Sequence, residues 1–147
     1  RSQAVAGFLI MFLHMNNGRG RLKGFIITGI NTMRLNHKEG AAAEDAALVF
    51  LQAQGCKLVA RNWHCPFGEI DLIVKNGNTI LFVEVKYRKS SRFGGAAGSI
   101  TPAKLAKLQR SAEHYLQQHH LNHAPCRLDA VLIEGGHKPE WVQNITG

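Results

Sequence analysis

The chain has 147 residues, 45% of them hydrophobic, enough for one ordinary core and too few for two. Its formal charge of +8 and pI near 9.8 point to a polyanionic partner, with nucleic acid the first candidate. Cys56, Cys65 and Cys126 are odd in number and widely spaced, which argues against a disulfide framework or a C-x-x-C zinc site and fits a reducing cytoplasm.

The first thirty or so residues differ from the rest. Apolar runs at Ala4 to Leu13 and Phe25 to Ile30 are each shorter than the roughly 20 residues that span a bilayer, and no small-residue cleavage site follows the first. No membrane partner is expected. Met33-Arg34-Leu35-Asn36-His37 opens a more regular sequence, so residues 1–32 are expected to be an upstream extension or non-native sequence, and residues 33–147 a single domain. Mass spectrometry of the protein made from its native gene would overturn this by finding residues 1–32 present.

From Gly40 to Gln54, Ala43, Ala46, Ala47, Phe50 and Leu51 recur at helical spacing, and Gly55 is placed to stop the helix. Leu58 and Val59 lie in a short strand over Cys56 to Trp63, and His64 to Gly68 turns the chain. Two apolar strands follow, Gly68 to Val74 and Ile80 to Lys86, joined by a hairpin turn at Lys75-Asn76-Gly77-Asn78-Thr79. A basic, glycine-rich loop leaves the second. Thr101-Pro102 then caps a helix whose buried stripe is Leu105, Leu108, Ala112, Tyr115 and Leu116, and a strand over Leu128 to Ile133 precedes a short one at Trp141-Val142. The fold class predicted is α/β, with a central sheet.

The two apolar strands each carry a carboxylate, Asp71 and Glu84. Burying either unpaired costs several kcal/mol, so each needs a cation, a proton or a hydrogen-bond network. Glu84 and Lys86 are two apart and share a face, at roughly 6–7 Å along the strand. Two acids and a lysine therefore converge.

Asp71, twelve residues, then Glu84-Val85-Lys86 resembles the D-x(n)-E-x-K signature of the PD-(D/E)XK nuclease superfamily. The signature is short, but its setting is specific: it lies on neighbouring strands with Glu44 on the preceding helix. The stretch from about Glu39 to Leu116, including Glu44-Asp45, Arg61-Asn62-Trp63, Gly68 to Ile73 and Phe82 to Arg88, resembles the YraN family, regarded as nuclease-like and related to archaeal Holliday-junction resolvases. The resemblance implies a restriction-endonuclease-like three-layer fold, a central mixed sheet flanked by helices. It implies a metal-dependent endonuclease, with branched DNA as a substrate.

The chemistry suits these residue types. Phosphodiester hydrolysis needs an activated water and a stabilised oxyanion, and a hard cation on carboxylates supplies both. Asp71 and Glu84 are the expected ligands, and the Val85 carbonyl is the third oxygen that the superfamily resemblance implies. Lys86 would position or deprotonate the water, or stabilise charge on the phosphate. Glu44 is expected to reach the metal directly or through water, chiefly on the strength of the resemblance. Mg²⁺ is favoured, with Mn²⁺ as substitute. Arg88, Lys89 and Arg92 in the loop, and Lys104, Lys107 and Arg110 on the helix, are expected to contact the phosphate backbone without reading sequence.

Competing readings stay open at this point. Asp71, Glu84 and Lys86 would also suit a buried salt-bridge network without metal, and Glu44 a solvated helix face. Glu69 is an additional ligand or an exposed acid. The alternative for the whole chain is a catalytically silent nuclease fold that binds DNA or acts as a scaffold in repair or recombination; structured RNA is a third possibility. Resolvase activity would demand a symmetric homodimer. His119, His120 and His123 are read as helix-end residues, not ligands, and Cys56 and Cys126 as core.

Overall fold

The computed structural model describes residues 23–89, 95, 98 and 100–146, with side chains from residue 38 onward. Two compact units are present, Arg1–Lys38 and Glu39–Gly147. The expectations placed on residues 1–22 and on Arg92 lie outside the described residues.

Helix α1 spans Lys23–Ala53, starting well before Gly40. Sequence places no proline between these points, and a single interior glycine costs a helix only about 1 kcal/mol. Its end follows expectation. Gly55 turns left-handed (φ 91°), its N–H donates to the Gln52 carbonyl at 3.0 Å, and the Cys56 N–H reaches back to the Leu51 carbonyl at 3.0 Å. That pairing closes the helix as a Schellman motif, with buried Cys56 and Leu51 in one apolar cluster.

The sheet follows in the predicted order: β1 Lys57–Cys65, β2 Gly68–Asn76, β3 Thr79–Arg88, then α2 Pro102–Gln118, β4 Cys126–Glu134 and β5 Glu140–Val142. Its spatial order is β1-β2-β3-β4-β5, antiparallel except for the parallel β3–β4 pair that α2 connects. Asn76 pairs with Thr79 across Gly77-Asn78, and Gly77 supplies the positive φ (60°) that this two-residue turn needs.

Alternation along β3 sends Ile80 and Phe82 to one face and Leu81 and Val83 to the other. The first pair packs with Leu108, Ala112, Tyr115 and Leu116 of α2, the second with Ala47 and Leu51 of α1. The sheet is therefore covered on both faces, which explains why β2 and β3 are apolar throughout. The result is the expected three-layer, restriction-endonuclease-like arrangement. The Thr101 hydroxyl caps α2 by accepting the Lys104 N–H at 3.2 Å, with Pro102 in the first turn. No described helix is long and apolar enough to cross a membrane. One core assignment is corrected: Cys126 is exposed because it opens β4 at the end of the sheet, whereas Cys56 is buried as expected.

Candidate metal and phosphate site

The site forms where β2 and β3 part. Their ladder runs from Asn76–Thr79 to Leu72–Val83, and one residue on, Asp71 Oδ2 accepts the Val85 N–H at 2.8 Å. A side-chain carboxylate thus stands where a strand carbonyl would have been. On the other side, Arg61–Leu72 and Trp63–Ile70 pair, leaving Asn62 opposite Asp71 with φ 46°. Asparagine is among the few side chains that accept this conformation readily.

Face alternation also breaks here. Ile70 and Ile73, three apart, pack on the α2 side while Leu72 packs on the α1 side, and Ala60 and Trp63 show the same break across Asn62. Such irregularities re-aim a side chain, and this one frees Asp71 from both cores.

Glu84 is only 2% exposed. Its Oε1 lies 3.0 Å from Lys86 Nζ, which shares its strand face as predicted, and 3.4 Å from Lys104 Nζ, which arrives from the first turn of α2. Lys104, expected on a phosphate-binding track, thus starts that flank of α2 within reach of Glu84. Glu84 therefore has two ammonium partners, and Asp71 has none among the described residues. Burial first, then the Glu84 charge, push the Asp71 carboxyl up to about 7, with Glu44 and Glu69 adding to the rise; the Val85 N–H opposes it.

That imbalance is what a cation would relieve. Asp71 and Glu84 offer hard carboxylate oxygens in a partly dehydrated setting, a donor set that fits Mg²⁺ or Mn²⁺. Among the described residues no three His, Cys, Asp or Glu side chains cluster as a ready ligand set. An ion held here would rest on two carboxylates, with a backbone carbonyl such as that of Val85 and water completing its shell, in keeping with the reluctance of Mg²⁺ to shed water.

Glu44, on α1, contributes to the field at Asp71 but is shared with Arg61, whose Nη2 lies 3.9 Å from Glu44 Oε2 and 2.7 Å from Asp45 Oδ1. Glu69 sits at the exposed end of β2, 3.8 Å from His64 Nδ1. Of the basic residues, Arg88 is exposed, Lys89 pairs with Glu39 at 3.1 Å, and Lys107 and Arg110 are exposed on α2. His119 caps the end of α2, its ring stacked on Tyr115 at 4.0 Å and its Nδ1 2.8 Å from the Tyr115 carbonyl. Its surroundings are those of a helix end.

Sequence reasoning missed one buried acid. Asp129, fully buried on β4, accepts from Arg127 Nε and Nη2 at 2.7 and 2.9 Å, Trp141 Nε1 at 2.9 Å and the Asn144 N–H at 2.9 Å. The signal was available. Asp129 also sits in an apolar strand, but Arg127 two residues earlier shares its face and satisfies it.

An α/β sheet with a helix on each face, and two acids and lysines gathered where its second and third strands part, defines a restriction-endonuclease-like domain. Comparison with known proteins makes the assignment particular. The model of the Uncharacterised protein family UPF0102 matches residues 43–133. The UPF0102 protein of Neisseria gonorrhoeae (strain NCCP11945) is 75% identical over 115 residues, covering 78% of this chain and all of the relative. The UPF0102 protein of Nitrosomonas eutropha is 50% identical over 112 residues, covering 76% of this chain and 96% of the relative. The chain belongs to the UPF0102 family, the YraN family that its motifs resemble.

Proposed function

We propose that this protein is a Mg²⁺-dependent endonuclease that hydrolyses phosphodiester bonds of DNA. One observation carries the reading: the Asp71 and Glu84 carboxylates, both withdrawn from water, repel each other beside the Lys86 ammonium, and among the described residues no ammonium or guanidinium pairs with Asp71. A core salt-bridge network accounts for Glu84 but not for Asp71, and raising Asp71 toward neutrality is a cost that a metal-binding role would account for.

When bound, the divalent ion supplies charge neutralisation and a more acidic water. The protein does the rest. Asp71, fixed by the Val85 N–H, and Glu84, fixed by its lysines, would hold the ion. Lys86, 20% exposed, orients or deprotonates the attacking water at its Nζ. Lys104, 44% exposed and on a different element, would offer its ammonium to a non-bridging phosphate oxygen. Arg61 restrains Glu44, whose charge is felt at Asp71. Arg88, Lys89, Lys107 and Arg110 hold the phosphate backbone, and a cytoplasmic setting is part of the same proposal.

A silent, DNA-binding form of the fold is favoured by one specific feature, the two ammonium groups already on Glu84 Oε1. Cleavage of linear, flapped and four-way DNA with Mg²⁺ or Mn²⁺ separates the readings. The endonuclease reading expects product from the wild type and a loss on the order of 10²- to 10⁴-fold in Lys86→Ala, the range for a positioned acid–base group. Retained DNA binding with no product from wild type, Glu84→Ala or Lys86→Ala would establish the silent form. A branched substrate cut on paired strands further requires a dimer, so a single monomeric species in sedimentation with junction DNA would rule out paired cleavage.

A further inference from the structure

The β1–β2 hairpin closes over two residues, Pro66 and Phe67, between the paired Cys65 and Gly68. Its tip is apolar, and Phe67, 44% exposed, is the one aromatic among the exposed large hydrophobics of the described residues. The hairpin lies close against α2: a Cβ on Gly68 would sit 3.4 Å from Ser111 Oγ. Behind the tip is a ladder of rings. Phe67 meets His114 edge to face at 5.6 Å, Trp63 lies 6.1 Å from His114, and Trp63 meets Tyr115 edge to face at 5.3 Å.

The position of this aromatic tip gives it meaning. Lys104, Lys107, Arg110 and His114 follow one flank of α2 beside its buried stripe, starting at Glu84 and ending under Phe67. Lys104 and His114 are ten residues apart, about 15 Å along a helix. Asp71 and Phe67 are four apart, about 13 Å along a strand. The two lengths are comparable, so this basic flank of α2 runs from the paired acids toward the rings.

We propose that Phe67, supported edge to face by His114, is a stacking platform for an unpaired base of a DNA strand whose phosphates lie on this track, so that the preferred substrate is a duplex bearing a single-stranded segment. The inference rests on the nuclease reading. Every base has a π-face, so an exposed ring beside a phosphate-binding track recognises absence of pairing without reading sequence. A fully paired duplex keeps its bases stacked on one another and offers the tip nothing.

Fluorescence anisotropy in EDTA, which prevents cleavage, tests this with a tailed duplex and the same duplex fully paired. Wild type is expected to bind the tailed form more tightly. Phe67→Ala should weaken binding of the tailed duplex by about tenfold, within the range measured for single base–aromatic stacks, and change the paired duplex by less than about twofold. Phe67→Trp should retain the preference, which separates a lost ring from a disturbed hairpin. Lys107→Ala should weaken both duplexes alike and lower the salt slope by about one. Equal losses on both duplexes in Phe67→Ala, or no loss on the tailed one, would overturn the platform while leaving the nuclease reading intact. Wild type that binds neither duplex would overturn both.

Discussion

At the scale of the residue, Asp71 carries a stability cost that depends on pH. Its carboxyl titrates near 3.8 when unfolded and is pushed up to about 7 in the fold, by burial first and then by the Glu84 charge. The folded state therefore binds more protons than the unfolded chain between these values, so its stabilising contribution is full below about pH 4 and is lost as pH rises through about 7. In metal-free buffer the melting temperature should fall between pH 5 and 8 by several degrees more in wild type than in Asp71→Asn, and the variant should be the more stable of the two at pH 8. Mg²⁺ should raise the melting temperature of wild type at pH 8, more weakly at pH 6 where Asp71 holds its proton, and not at all in Asp71→Asn. A variant that melts like wild type across the range, with or without Mg²⁺, would show that the repulsion is not there.

At the scale of the element, the same anomaly was visible three times and had two outcomes. Asp71, Glu84 and Asp129 are all acids in apolar strands, and the structure separates them by partner. Asp129 has four donors from Arg127, Trp141 and Asn144, tying β4 to β5 and to the turn after it. Asp129→Ala should cost about 3–5 kcal/mol, because it leaves a guanidinium and two N–H groups unpaired, and a shift in urea midpoint measures it. A cost under about 1 kcal/mol would mean that β5 is not anchored there. The strands, their order and the Glu84–Lys86 face were legible because alternation and the Asn-Gly turn are local signals. The start of α1 was not, since Gly40 looks like a boundary yet costs the helix little. Nor was the approach of Lys104 to Glu84, a contact between residues 20 apart in sequence that depends on how α2 lies over the sheet. Asn62 with its positive φ was equally hidden: the sequence shows an Arg-Asn-Trp triplet, and only the pairing shows that it faces Asp71.

At the scale of the whole molecule, the sheet joins two independent demands. Its covered faces hold the fold together, and the parting of β2 and β3 gathers the charged groups along one edge of α2. Within this arrangement Lys104, Lys107 and Arg110 run out from the carboxylates along α2. Binding to any DNA should therefore weaken steeply with salt, and a double Lys107→Ala, Arg110→Ala variant should lower the slope of log affinity against log salt by about two. A slope unchanged by both would place the DNA elsewhere. The central claim is that Asp71, Glu84 and Lys86 cleave phosphodiester bonds with a divalent ion. Its most direct measurement is cleavage of a tailed or four-way DNA by pure protein with Mg²⁺, with EDTA, and with Glu84→Gln. The account predicts product only with the ion and the intact carboxylate; product that persists in EDTA or in Glu84→Gln, or none from wild type that binds the same DNA, would contradict it.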